Sequence, residues 1–240
     1  MAKRTTKKTK KTPRRRFRPD RWIMRWTLRL VSVVFLLAVF LVVLWGVFNP
    51  PTTYYMMQES RRLGGVEQKW ADMEQIAPVM PRAAVAAEDA NFCNHWGLDI
   101  VAIRKALEDD SGRGASTISQ QVVKNVFLWH GRTWTRKVLE AAMTPLMEAL
   151  WSKQRILEVY LNVAEFDEGV FGIEAAAQHY FGVDAASLTP TQAARLAAIL
   201  PNPKGRSASN PSSFVRKRAS QIVDGAATIR ADGRADCFQS

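Results

Sequence analysis

Hydrophobic and polar residues are divided very unevenly along this chain. From Leu30 to Phe48 there are 19 consecutive residues without a charge. At ~1.5 Å per residue, a helix of that length nearly spans a ~30 Å hydrocarbon core. Trp22, Trp26 and Trp45 stand at or beside its ends, where aromatic rings anchor a membrane helix. Asn49-Pro50-Pro51 stops the run, because proline lacks an N–H and clashes with the preceding turn. Beyond it the apolar positions follow a helical period. Ile100, Ile103 and Leu107 predict a helix over 99–108, Ile118, Val122 and Val126 one over 116–127, and Ile156, Leu157, Tyr160 and Leu161 one over 153–161. The apolar segment 83–87 follows Pro81, which suits a first helical turn. Further helices are predicted over 53–71, broken at Gly64-Gly65, over 132–150, bent or interrupted at Pro145, and over 214–229. Thr189-Pro190-Thr191-Gln192 is a capping box that opens a helix to Leu200. Residues 109–114 compose a loop, no stretch alternates as a strand does, and no internal repeat is present. The fold class is mainly α.

Charge changes this picture only at one end. The net charge is +12, yet residues 1–29 alone carry 13 Lys or Arg against the single acid Asp20, and the rest of the chain holds 21 of each sign. The basicity belongs to a tail, expected to be disordered, so a nucleic-acid partner is not expected of the domain. By the positive-inside rule the tail is cytoplasmic and everything after Phe48 lies across the membrane. A cleaved signal peptide would show a shorter apolar core and a small-residue cleavage site, and neither is evident. The organisation read here is a basic cytoplasmic tail at 1–29, a transmembrane helix at 30–48 and one domain at 49–240. Cys93 and Cys237 are the only cysteines. A single disulfide and two free thiols are both open, and because a bridge would constrain the motif around Cys93, free thiols are expected.

The candidate chemistry starts at Glu88-Asp89, which arrive at the C-terminal end of the apolar helix. The negative end of the helix dipole and burial both raise a carboxylate pKa there, which suits proton transfer near neutral pH. Capping or salt-bridging explains the pair as well. Ser116, Thr117, Gln121, Lys124 and Asn125 follow a glycine-bearing loop at a helix start, where N–H groups and hydroxyls would face an anion. A capped, solvated helix is the plain alternative. Arg136 precedes Glu140 by one turn, keeping that carboxylate ionised, the opposite tuning to Glu88. A surface ion pair worth ~0.3–0.5 kcal/mol would look the same. His95 reads as a packed histidine, the three histidines lack zinc-site spacing, and Tyr160, Tyr180 and Phe181 read as packing. Glu148 and Glu158 read as structural, Glu158 pairing with Lys153 or Arg155.

Five stretches in order carry a resemblance: Glu88-Asp89-x-x-Phe92-x-x-His95-x-Gly97, Gly114-x-Ser116-Thr117-Ile118-x-Gln120-Gln121-x-x-Lys124-Asn125, Arg136-Lys137-x-x-Glu140, Lys153-x-x-Ile156-Leu157-Glu158-x-Tyr160-Leu161-Asn162, and Gly172-Ile173-x-Ala175-Ala176-x-x-x-Tyr180-Phe181-Gly182. Together they resemble the peptidoglycan glycosyltransferases of glycosyltransferase family 51, in particular the monofunctional branch, from about residue 53 to 229. The resemblance implies a lysozyme-like, two-lobed, mainly helical fold behind the membrane helix. It implies an inverting glycosyltransferase that polymerises lipid II into β-1,4-linked glycan at a bacterial inner membrane, with the catalytic domain periplasmic. Glu88 matches the general base and Glu140 the second essential carboxylate. Lys124, Arg136 and Lys137 match substrate-binding cations, and Ser116, Thr117, Gln121 and Asn125 line the same cleft. No cofactor is required and no metal ligand is assigned, although a divalent cation at Glu140 is left open. The implied partners are lipid II, the growing strand and the membrane, with cell-wall synthesis proteins as further candidates. The chain departs from the family in having Gln192 where Glu is usual and a short loop at 109–114. No S-x-x-K motif occurs, so no transpeptidase domain is expected.

Two other readings stay open. A lysozyme-like fold with a glutamate could cleave peptidoglycan, but a cleaving enzyme has no use for pyrophosphate-binding cations. An idle membrane scaffold has no use for Glu88, Glu140, Lys124 and Arg136 together. The phrase Phe127-Leu128-Trp129 and Trp134 fit either core or membrane contact.

Overall fold

The computed structural model describes residues 19–108, 116–131 and 133–239. The expected loop at 109–114 and the first 18 residues of the expected tail lie outside them. The chain divides into two compact units, Met1–Leu41 and Val42–Ser240. The first holds most of helix α1 (Pro19–Val47), which starts well ahead of the uncharged run. Leu30, Phe35, Leu36, Leu37 and Phe40 all stand exposed on it. Its 29 residues at ~1.5 Å each exceed a membrane's hydrocarbon thickness. It is long and apolar enough to cross a membrane, and a helix apolar and exposed on all sides suits lipid rather than water.

The second unit is mainly helical. The last turn of α1 belongs to it, and there Trp151 Nε1 donates to the Val42 carbonyl at 2.7 Å, while Arg155 donates to the carbonyls of Trp45 and Phe48. The Trp45 carbonyl, left open by the end of α1, is thereby satisfied. Gly46 is required at this contact, since a Cβ would stand 2.8 Å from Trp151 Nε1. The remaining helices are α2 (Tyr54–Leu63), α3 (Val79–Glu88), α4 (Ile100–Glu108), α5 (Ile118–Phe127), α6 (Trp134–Leu150), α7 (Lys153–Val163), α8 (Ile173–Phe181), α9 (Pro190–Ile199) and α10 (Ser213–Ala231). One group packs α3, α9 and α10 on one another; in another, α5 packs against both α6 and α7. Alanines fill the first contact, with Ala83, Ala84, Ala193, Ala194, Ala197 and Ala198 buried, so the three helices approach closely. The capping box at Thr189 forms as expected, with Gln192 closing it.

Three expectations need correction. The segment 53–71 breaks at the glycines as expected, with Gly64 at φ of 81° closing α2, but residues 66–71 form no helix beyond the break. The chain then enters β1 (Glu67–Gln68), which pairs parallel with β3 (Val170–Phe171), itself antiparallel to β2 (Glu165–Asp167). Strands of two and three residues are too short to show alternation. Of the two alternatives at Pro145, bent or interrupted, the interruption does not occur: α6 runs on to Leu150, the proline removing one hydrogen bond without ending the helix.

The third correction concerns the cysteines, which form a Cys93–Cys237 disulfide with Cα atoms 5.7 Å apart. Packing of α10 on α3 returns the end of the chain to the segment after Glu88. There Arg234 Nη1 donates to the Ala90 carbonyl at 3.0 Å and Phe238 is buried 6.2 Å from the Phe92 ring. Cys93→Ser/Cys237→Ser is expected to lose ~2–5 kcal/mol, lowering the melting temperature by about 5–15 °C. Thermal unfolding in detergent, with wild type under reductant as a second arm, checks this; unchanged melting in both arms would contradict it.

Candidate active site

Helix α3 buries Met80, Ala83, Ala84 and Val85 and so delivers Glu88 as its last residue and Asp89 as its C-cap. The two neighbours have different fates. Asp89 is buried, accepts the Ile118 N–H at 3.0 Å through one oxygen and meets His95 Nε2 at 2.8 Å through the other. The start of α5 is therefore already occupied by an anion, the protein's own. Thr117 does not face the cleft: it is the N-cap of α5, its Oγ1 accepting from Gln120 N at 3.2 Å and donating to the Gly97 carbonyl at 2.6 Å. Gly97 has φ of 76° and a Cβ there would lie 2.4 Å from Thr144 Cγ2, so glycine is the only residue that allows this approach. Ser116 stays exposed, 3.4 Å from Lys137 Nζ.

His95 is packed, as its setting in the motif suggests, with Nδ1 buried and unpartnered among the described residues. Lys153 holds the same turn from below, donating to the His95 carbonyl at 2.7 Å and to Glu148 at 2.8 Å, with its Nζ 4.4 Å from the Phe92 ring centre. Glu148 and Lys153 thus support the motif, and Glu158 pairs with Arg155.

Glu88 accepts from Gln121 Nε2 at 2.9 Å. Burial raises its pKa above the ordinary carboxylate value, while Gln121, Arg218 and Lys124 oppose the rise and Asp89 adds to it. Lys124 lies one turn beyond Gln121 on the same face of α5. Burial lowers its pKa, Glu140 and Glu88 oppose that, and Arg136 and Lys137 reinforce it. No hydrogen bond or ion pair to Lys124 occurs among the described residues. Glu140 is only 3% exposed and is clamped by Arg136 and by Lys137. It is thus no surface ion pair, although its two partners differ, Arg136 being largely covered and Lys137 reaching solvent. Arg136 also donates through Nε to the Gly131 carbonyl at 2.7 Å, which ties the turn before α6 to its first helical turn.

Ser116, Gln121, Lys124, Arg136, Lys137 and Glu140 line an open cleft of about 520 Å³. A second cavity of about 310 Å³ adjoins it, sharing Gln121, Lys124 and His130 and adding Asn125, Tyr160 and Lys204. Neither wall includes Glu88, which reaches the cleft through Gln121, or Thr117. Of the nine residues singled out in the sequence, seven line one cavity or the other. His130, Tyr55 and Lys204 were missed, because they lie between or outside the recognised motifs and carry no local pattern. Among the described residues no group of three or more His, Cys, Asp and Glu could hold a metal ion.

Such a set can accept a proton at one end and hold negative charge at the other, which is what a group-transfer site for an anionic substrate requires. Residues 55–227 match the family model described as Transglycosylase. The chain is 59% identical over 238 residues to the biosynthetic peptidoglycan transglycosylase of Jannaschia sp. (strain CCS1), covering 99% of each. It is 46% identical over 225 residues to that of Caulobacter vibrioides, covering 90% of this chain and 98% of the relative. It is 55% identical over 159 residues to that of Shigella sonnei, covering 64% and 66%. The chain belongs to the biosynthetic peptidoglycan transglycosylase family.

Proposed function

We propose that this protein polymerises lipid II, adding disaccharide units to a growing glycan with inversion at the anomeric carbon. Glu88 removes the proton from the acceptor 4-hydroxyl, that oxygen attacks the donor anomeric carbon, and undecaprenyl pyrophosphate leaves. The observation that carries this reading is the pairing of a half-buried Glu88, whose pKa is raised, with Lys124, a cation that has no partner among the described residues and lines the open cleft. A departing pyrophosphate needs positive charge where its own charge develops. Lys124 supplies it directly, with Arg136 and Lys137 held alongside by Glu140. Ser116 and Asn125 add hydrogen-bonding groups on the walls, and Gln121 orients Glu88.

The placement follows the same reading. α1 anchors the chain, the basic tail stays cytoplasmic, and residues 49–240 act on the far side of the inner membrane, beside their lipid-linked substrate. The Cys93–Cys237 disulfide supports this, since such bonds persist in oxidising compartments such as the periplasm.

The test is incubation of the detergent-solubilised full chain with labelled lipid II and, separately, with isolated sacculi. Glycan polymer with release of undecaprenyl pyrophosphate is the expected result. Soluble muropeptides from sacculi would instead establish cleavage, and no product from either would leave a scaffold.

A further inference from the structure

His130 forms part of the wall between the two cavities. We propose that His130 is a positioning residue for the transfer reaction, turning the Asn125 side-chain amide so that its two N–H donors face the substrate. This rests on the reading of the site as a glycan-polymerising cleft.

Asn125 follows Lys124 on α5 and is 8% exposed. Its Oδ1 lies 3.0 Å from His130 Nε2. Burial pushes the His130 pKa down to about 4, with Lys124, Arg136 and Lys204 reinforcing the fall and Glu59 opposing it. The ring is therefore neutral at working pH and carries one N–H. Facing a carbonyl oxygen, that hydrogen sits on Nε2, and Nδ1 is left as an acceptor. With Oδ1 engaged, the Asn125 amide presents Nδ2 as its free end, and no described residue accepts from it. A pyrophosphate and its sugars are rich in acceptor oxygens, so donors are the useful end to present.

The ring itself is immobilised. It stacks on Tyr55 with centroids 3.7 Å apart and planes inclined by 11°. Tyr55 is fixed in turn, its hydroxyl donating to Glu165 at 2.7 Å and its ring lying edge-on to Phe171 at 5.7 Å. The following residue is pinned through the Gly131 carbonyl by Arg136. A chain of contacts from Glu165 through Tyr55 and His130 thus sets one amide beside Lys124.

The test compares wild type, His130→Phe, His130→Gln, Asn125→Ala and the double variant His130→Phe/Asn125→Ala. His130→Phe keeps a ring to stack on Tyr55 and removes the N–H. Its kcat/KM for lipid II should fall about tenfold, the size of one lost hydrogen bond, at unchanged melting temperature. His130→Gln, which restores a donor, should recover most of that loss. On the Asn125→Ala background, His130→Phe should cost less than about twofold more. Wild-type kinetics in His130→Phe, or losses that multiply in the double variant, would overturn the proposal. A second measurement is independent of activity: nitrogen-15 NMR of histidine-labelled full chain at pH 7 should show His130 as the neutral Nε2–H form, and the Nδ1–H form would overturn the proposal. Should wild type make no polymer, the functional reading falls while the tautomer still decides the His130–Asn125 geometry.

Discussion

Glu88→Gln is expected to lower the polymerisation rate by ~10²–10⁴, the range supplied by a positioned general base, or ~2.7–5.5 kcal/mol of barrier. The substitution keeps the shape of the side chain and can keep a contact with Gln121, so folding should be unaffected. A carboxylate that only capped α3 would lose little by becoming an amide. The pH dependence sharpens the test. Burial holds the Glu88 pKa above its ordinary 4.5, and the base must be ionised to accept a proton. Activity should therefore fall as pH drops through a value higher than that of a free glutamate. Initial rates with labelled lipid II across pH, in wild type and Glu88→Gln, are the measurement. Near-normal turnover in the variant would remove Glu88 from the mechanism.

Lys124→Met should be nearly as damaging, lowering kcat by ~10²–10³, the usual cost of removing one group that stabilises charge in the transition state. Methionine matches the length of the stem and deletes only the ammonium. Burial lowers the Lys124 pKa below its ordinary 10.5, so the alkaline limb of the rate profile should begin earlier than for an exposed lysine, since charge is lost as pH rises. Lys124→Arg keeps a permanent cation. It should retain part of the activity and move the alkaline limb upward, while leaving the acid limb where Glu88 sets it. An alkaline limb that stays in place in Lys124→Arg would assign that ionisation to another group. Thermal melting of each variant separates these effects from unfolding, because the Lys124 ammonium makes no internal bond to a described residue whose loss would destabilise the fold.

Much of the site was legible from spacing. Gln121 and Lys124 are one turn apart on an amphipathic helix, so wherever α5 packs, they share a face. Arg136 and Glu140 are likewise bound to meet across one turn. What spacing could not convey was environment. The Arg136–Glu140 pair reads equally as a solvated ion pair or a buried clamp, and burial, at 3% exposure for Glu140, depends on what packs over it. Thr117 shows the same limit from the other side. Its hydroxyl suits both anion binding and capping, and the cap wins because Asp89, brought over by α3, already fills the anion position at the start of α5. His130 carried no signal at all, since its role comes from Tyr55 and Asn125, distant from it in sequence or on a different element.

The sequence by itself determined the elements whose causes are local: the apolar run at 30–48, the basic tail, the amphipathic periods of α4, α5 and α7, and the capping box at Thr189. Each of these depends on residues within a few turns of one another, so periodicity and side-chain chemistry suffice. Tertiary structure alone decided the pairings between distant segments. Cys93 meets Cys237 across 144 residues because α10 packs on α3. The β1–β3 ladder joins Glu67 to Val170 because the glycines after α2 turn the chain back. Glu88 gains its raised pKa from burial on folding, with Gln121, Arg218 and Lys124 brought from other helices to set how far it rises. Those contacts are between groups that the chain must first fold to bring together, and no local pattern encodes them.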